Sequence, residues 1–474
     1  MPNSLDRFRP ALNAAIQAAQ TYLENLDEAP VGATADLATL RKQLRKDLTD
    51  DGLAPEQVIS ELARDVQGGL IATGGGRFYG WVIGGAVPAA LGADILTSVW
   101  DQNCALYATS PAAAVAEEIA GDWLKEILGL PKRASFALVT GCQMAHTTCL
   151  AAARHALLAK MNWDVEERGL FGAPPIRILT SAMRHGTFER AIQYLGIGKA
   201  AVQYLDADDR DCLRADALER ALQIGPAGPT IVLLQAGDVN IGAMDDFKTL
   251  IPIAKRHGAW VHVDGAFGLW AGANARYKHF LAGVESADSW ATDGHKWLNV
   301  PFDCGYAFVA NAESHRASMS HRASYMIHVG DARDELDWTL EWSRRARGFP
   351  TYAALRQLGR HGVADIVARC CEHAHTIVTG IGKLAGAELV WEPTINQGLV
   401  RFLDPKPGAT DKDHDRRTDE VIAAITASGV AFFGGTTWRG KRAMRVSVSC
   451  WQTSAEDVAK TVSAVERILS EGRD

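Results

Sequence analysis

Four short segments carry side chains with chemical capacity. In Val261-His262-Val263-Asp264-Gly265-Ala266-Phe267 an apolar run ends on a carboxylate flanked by small residues, a placement that otherwise serves as a cap or turn. In Thr292-Asp293-Gly294-His295-Lys296-Trp297-Leu298, Lys296 stands between a polar turn and apolar neighbours. Lost solvation there is expected to lower its pKa and free a neutral amine for nucleophilic attack. Thr140-Gly141-Cys142-Gln143-Met144-Ala145 reads as a strand-to-helix junction whose amides can cradle a phosphate. Ser181-Ala182-Met183-Arg184-His185-Gly186-Thr187 presents an imidazole just after an apolar run, placed to stack on a planar ring or to exchange protons. Taken singly, these residues have plain alternatives: a surface lysine, a turn glycine, a packed histidine. Together, an amine, a carboxylate and a phosphate cradle are what a pyridoxal 5'-phosphate (PLP) site needs. Asp264 and Lys296 are 32 residues apart, room for a helix and a strand, so both can reach one ligand.

The elements that must position these groups follow from hydrophobic periodicity. Residues from about Pro10 to Asp27 read as a helix with Leu12, Ile16, Ala19 and Leu23 on one stripe. A charged segment from Arg41 to Asp51 follows, then Gly74-Gly75-Gly76 and the aromatic stretch Arg77-Phe78-Tyr79-Gly80-Trp81, a turn plus core or a loop bordering a cleft. Ser110-Pro111 opens a second helix whose stripe of Val115, Ile119, Trp123, Ile127 and Leu128 runs to Gly129 and Pro131. Beyond it, apolar runs at Phe136 to Val139, Ile176 to Leu179, Ile231 to Leu234 and Trp260 to Val263 alternate with helical patterns. That alternation predicts an α/β domain with a mainly parallel sheet, whose ligands bind at the carboxyl ends of the strands. After Arg344-Arg345-Ala346-Arg347, read as a solvated or ion-paired helix face, a long helix precedes runs at Leu399 to Leu403 and Met444 to Val448. These suggest a smaller α+β lobe, in which the charged tract Asp411 to Arg417 reads as an exposed loop.

Composition bounds the partners. A chain of 474 residues, 47% hydrophobic and 22% charged, has ample core for one large domain and smaller ones. A formal charge of −7 with interspersed signs leaves no basic footprint, so neither nucleic acid nor an anionic membrane is an expected partner. No secretory pattern opens the chain and no apolar stretch is long enough to span a bilayer. Eight cysteines without a CxxC pair point to a reducing cytoplasm, with no disulfide framework and no metal site. No GxGxxG follows a first strand, which disfavours a nicotinamide enzyme.

His295-Lys296-Trp297-Leu298, followed by Phe302-Asp303-Cys304, resembles the signature of the group II PLP-dependent amino-acid decarboxylases, the family of aromatic-amino-acid, tyrosine and glutamate decarboxylases. The similarity runs from about Phe78 to Cys450 and keeps its register across His185, Asp264 and Lys296. The resemblance implies a PLP-dependent transferase fold type I, aspartate aminotransferase-like: an α/β chain with a large, mainly parallel seven-stranded sheet domain and a smaller C-terminal α+β domain. The implied division is 1–85, an N-terminal helical segment wrapping a dimer partner, 86–345, the PLP-binding domain, and 346–474, the small domain. The implied reaction is decarboxylation of an L-amino acid to its amine and carbon dioxide.

Roles implied by the same resemblance are a Schiff base at Lys296, pairing of Asp264 with the pyridinium nitrogen, stacking of His185 on the ring, and Ala266 packed on its other face. Cys142 and Gln143, with the neighbouring amides, fall where the family binds phosphate and Asp293 falls near it, Gly141 and His295 are further cofactor-binding positions, and Thr140-Gly141-Cys142-Gln143 departs from the family's Gly/Ser-rich form. Tyr325, 29 residues after Lys296, matches a mobile-loop tyrosine that assists protonation of the substrate carbon, where aldehyde synthases carry phenylalanine. Phe78, Trp81 and Val82 are implied to line the substrate pocket, in a homodimer, while Arg77 could instead meet an acidic substrate. Gly75-Gly76 replaces the family's usual His-Pro at the lip of this cleft. Aldehyde synthesis, transamination, carbon–carbon lyase chemistry and a non-catalytic PLP-fold protein remain the alternatives.

Overall fold

The computed structural model describes residues 4–321, 323, 324 and 326–471. Short runs rich in Val, Ile, Leu and aromatic residues form the strands β1 (Ser135–Val139), β2 (Arg177–Ser181), β3 (Val202–Leu205), β4 (Thr230–Gln235), β5 (Trp260–Asp264), β6 (Ser289–Asp293) and β7 (Gly305–Val309). They make one sheet in the order β1-β7-β6-β5-β4-β2-β3. β7 runs antiparallel to both β1 and β6, and the pairs from β6 through β3 are parallel. β1 and β4 to β7 are buried along their whole length, as expected of a sheet covered on both faces. The carboxyl ends of β1, β2, β4, β5 and β6 therefore lie along one edge.

A second, antiparallel sheet comprises β8 (Ala387–Trp391), β9 (Gln397–Phe402), β10 (Gly434–Trp438) and β11 (Lys441–Ser447), in the order β10-β11-β9-β8. The helix Gly348–Gly382 links the two sheets and turns at Gly359, whose φ of 58° only a residue without a Cβ adopts easily. Among the described residues no helix is long and apolar enough to cross a membrane.

Three local readings are corrected. The first helix spans Ser4–Asn25 and contains Pro10 rather than starting there; a proline this near the N-terminus removes one backbone bond and leaves the later turns intact. Its stripe residues Leu12, Ile16 and Leu23 are exposed in the single chain. The tract Asp411 to Arg417 is the opening of the helix Asp411–Ala427, because Thr410 and Asp413 form a reciprocal capping box. The basic cluster is ion-paired, as one of its two readings had it, but it precedes the helix and Arg344 and Arg347 are buried: Arg344 donates to the buried Glu117 at 2.9 and 3.1 Å, and Arg347 pairs with Asp303 at 2.8 Å.

Candidate active site

Lys296 lies in a single π-helical turn, Gly294–Leu298, directly after β6. Asn299 ends that turn in the left-handed region, φ 60°, a conformation asparagine tolerates. Its side chain donates to the carbonyls of Trp297 at 2.9 Å and Ser449 at 3.0 Å, and accepts the Trp451 amide. The lysine turn is thus tied to the small domain. The segment after Trp81 passes against it so closely that a Cβ on Gly84 would stand 1.9 Å from the Lys296 carbonyl oxygen.

The lysine's ammonium meets the buried Asp293 carboxylate at 3.0 Å. Burial works to lower the Lys296 pKa, but Asp293, with Cys142 and Asp264 adding to it, prevails and the net shift is upward. This reverses the sequence expectation, which counted desolvation without a counter-charge. Asp293 also accepts the Cys142 amide through its other oxygen, at 2.6 Å, so one carboxylate joins the lysine to the start of the Cys142–Ala159 helix. His295 accepts the Cys304 amide at Nδ1, 3.1 Å, and stacks on Phe302.

That helix begins without a side-chain cap, and the Gln143 and Met144 amides find no acceptor among the described residues. Unpaired amides at a helix N-terminus favour an anion. β7 packs tightly against the turn that opens this helix: a Cβ on Gly305 would lie 2.5 Å from the Gly141 backbone.

Asp264 ends β5 and is buried. Its Oδ1 accepts the Ala266 amide at 3.1 Å and lies 3.9 Å from the Cys142 thiol, while Oδ2 lies 3.4 Å from His146 Nε2. Burial alone would raise this carboxyl, but His146, His185 and Lys296 outweigh it and hold Asp264 far below the usual carboxylate range. Two buried acids beyond the end of β4 behave oppositely: burial raises Asp238 and pushes Asp245 up to about 6. His185 caps the helix Gly186–Tyr194, with Nδ1 accepting the Thr187 amide at 3.3 Å. In neutral His185 the proton therefore sits on Nε2. Burial of its inner side is the main cause lowering its pKa, with Asp264 opposing and Lys296 assisting.

An anionic ring-nitrogen acceptor, an amine and a helix N-terminus with unpaired amides on one sheet edge fit PLP as a donor and acceptor set. Lys296, Asp264, His185, Ala266, Gly141, Cys142, Gln143, Asp293 and His295 all come from strand ends at this edge or from the turns and helix starts that follow them. Tyr325 lies outside the described residues. Phe78 is buried and clusters with Trp81 and Phe432, each ring stacked on the other two, with Trp81 largely exposed and Val82 buried. Arg77 is engaged elsewhere, donating to the carbonyls of Val430 and Asp27 beside Asp457.

Sequence reasoning missed three residues here. Arg445 on β11 reaches across from the small domain, donating to the Val239 carbonyl at 3.1 Å and depressing the His185 pKa. His146 and His262 stand behind Asp264. Spacing could have flagged both: His146 is one helical turn past Cys142, and His262 shares a strand face with Asp264. Cys142, His146 and Asp264 also form a group whose ligand atoms lie within 4.8 Å of one another and could hold a metal ion, a possibility not foreseen from sequence. The carboxylate in that group is the one a pyridine nitrogen requires.

The sequence profile of the pyridoxal-dependent decarboxylase conserved domain matches residues 38–403. The chain is 23% identical to the aromatic-L-amino-acid decarboxylase of Bacillus atrophaeus, over 95% of this chain and 93% of that one. It is 26% identical to an acidic amino acid decarboxylase of Mus musculus, over 92% of this chain and 80% of the relative. The crystal structure of Oryza sativa TDC with PLP and tryptamine superposes over 100% of both chains with a TM-score of 0.92 at 22% identity, a likeness of fold.

Proposed function

The chain belongs to the pyridoxal-dependent decarboxylase family, and from that premise we propose how its own residues serve the reaction. It is a PLP-dependent carboxy-lyase acting on an amino acid. The observation that carries the assignment of roles is that Lys296, paired with Asp293 at 3.0 Å, and the buried Asp264, whose carboxyl His146, His185 and Lys296 hold low, share one sheet edge with a helix N-terminus that lacks a side-chain cap.

Lys296 holds the cofactor through Nζ, Asp264 holds a proton at the ring nitrogen, and the Gln143 and Met144 amides take the phosphate. Bound PLP supplies the sink for the electron pair left behind when the substrate carboxylate departs as carbon dioxide. Arg445 supplies the fixed cation for that carboxylate, and His185 presents Nε2–H on the open side of the site. Tyr325 delivers the proton to the substrate α-carbon, which makes amine rather than aldehyde the product.

We assign an aromatic side chain to the substrate. The exposed Trp81 ring, stacked with the half-buried Phe432 over the buried Phe78, offers a planar apolar surface, and Arg77, spent on backbone carbonyls, is not available to an acidic one. The half-exposed Ile95, Leu96, Val99 and Trp100 with the stripe on Ser4–Asn25 support a homodimer that covers them, and eight buried free cysteines suit a cytoplasmic protein.

The test is a product assay over the common amino acids with wild-type protein and Lys296→Ala. Amine and carbon dioxide from an aromatic amino acid, with visible cofactor absorbance lost in Lys296→Ala, is expected. A wild-type protein that stays colourless with added PLP would sink these roles, and turnover of acidic substrates alone would overturn the side-chain class.

A further inference from the structure

Behind Asp264 lies a run of buried polar groups that the roles above leave unused. His262 precedes Asp264 by two residues on β5 and so faces the same side of the sheet. His146 comes down on that side from the helix Cys142–Ala159. Both imidazoles are fully buried. His146 Nε2 lies 3.4 Å from Asp264 Oδ2, His146 Nδ1 is 2.8 Å from His262 Nε2, and His262 Nδ1 is 2.9 Å from Ser289 Oγ. Ser289 Oγ accepts the indole N–H of Trp260 at 2.9 Å. Every ring nitrogen in the run has a partner, as the cost of burying polar groups demands.

The direction of the contact with Asp264 follows from chemistry. An ionised carboxylate only accepts, so the imidazole nitrogen facing it carries the proton. Burial, then His146, keeps the His262 imidazole well below its ordinary range, hence neutral. His185 and Lys296 face the open side of the site, where substrate and cofactor bind; His146 is the imidazole sealed behind Asp264, beside the buried Cys142 thiol, which lies 3.9 Å from Asp264 Oδ1 and 3.5 Å from His146 Nε2.

We propose that His146, oriented by His262 and Ser289, is a positioning residue that donates Nε2–H to Asp264 and keeps this carboxylate ionised and aimed at the cofactor's ring nitrogen. The inference rests on the PLP roles proposed above. Without this donor the buried carboxylate keeps the Ala266 amide on Oδ1 but loses the imidazole facing Oδ2 and accepts a proton more readily, and a neutral Asp264 no longer holds the ring nitrogen's charge.

The test compares His146→Leu, His146→Gln, His262→Leu and the His146→Leu/His262→Leu double variant, reading PLP dissociation constants on apoprotein and then kcat and KM. Losing one hydrogen bond to a charged group corresponds to roughly 10- to 100-fold. His146→Leu is expected to weaken PLP by that factor and to lower kcat while KM moves less than about threefold. His146→Gln, whose carboxamide nitrogen can occupy the Nε2 position, restores most of both. The double variant is no worse than His146→Leu, because residues in one chain of contacts do not add. PLP affinity unchanged in His146→Leu, or fully additive losses, overturns the proposal. Should the leucine variants fail to fold, 15N spectra of histidine-labelled wild-type apoprotein, assigned with His146→Gln, decide it: a protonated Nε2 on His146 supports the contact and a bare one overturns it. Wild-type protein that takes up no PLP instead refutes the cofactor roles, and the nitrogen spectra still judge the contact with Asp264.

Discussion

Replacing Asp293 by asparagine isolates the charge that sets the state of Lys296. The side chain keeps its size, and its oxygen can still accept the Cys142 amide that Asp293 now accepts at 2.6 Å. What disappears is the counter-charge 3.0 Å from the lysine amine. Two unit charges at that distance attract by about 5 kcal/mol at an effective dielectric near 20. Net values for hydrogen bonds to charged groups are smaller, about 1.5–3 kcal/mol, and that range suits a lysine side chain about one-fifth exposed. It equals about one to two pK units. Burial, the largest influence on Lys296, pushes its pKa down and Asp293 chiefly opposes it, so the variant's lysine deprotonates at lower pH. Only the neutral amine attacks, so its reaction with PLP rises with pH up to the lysine pKa. Apoprotein is mixed briefly with PLP at a series of pH values, trapped with borohydride, and the Lys296 peptide quantified by mass spectrometry. The rising limb in Asp293→Asn is expected about one to two pH units below that of wild type. The midpoint, not the amplitude, is the measure, since losing a negative charge also favours an anionic cofactor. An unmoved limb, or one displaced upward, refutes the reasoning.

Glu117→Gln removes the nearest counter-charge of the buried Arg344 and leaves Glu341 at 3.9 Å, so it should cost up to about 3 kcal/mol, the low end for breaking a buried pair; a guanidinium midpoint indistinguishable from wild type contradicts it. All eight cysteines are buried, and burial pushes the thiols of Cys149, Cys212, Cys370 and Cys450 up to about 12 and that of Cys304 up to about 11. A thiol reagent at pH 8 should therefore label the native protein slowly and all eight sites after denaturation; rapid stoichiometric labelling of the native form would show an accessible thiolate. Tyr325→Phe is expected to cut amine formation at least tenfold, in the range of general acid catalysis, with PLP affinity within about threefold of wild type. Undiminished amine output removes the tyrosine from the reaction.

Local pattern was enough for the frame. Strand ends are written in short-range sequence: apolar runs stop at Val139, Leu179, Leu234 and Val263, and the observed strands end on or within two residues of them. The rule that parallel sheets bind ligands at their carboxyl ends then pointed to the right edge. Motif spacing added the cofactor class, because Lys296 and Asp264 follow adjacent parallel strands, β6 and β5.

Charge state and cross-chain contacts were not legible in this way. The pKa of Lys296 depends on the direction taken by Asp293 three residues earlier, and a π-helical turn, not any composition rule, turns the two together. Arg445 arrives from a strand 149 residues further along the chain than Lys296, and His146 meets His262 across the gap between a helix and a sheet. Electrostatic energies vary with distances of a few ångströms and with burial, neither of which short-range sequence encodes. The sequence by itself determined which groups stand at the edge of the sheet; only the tertiary structure decided which of them are charged, because that depends on partners brought together by packing.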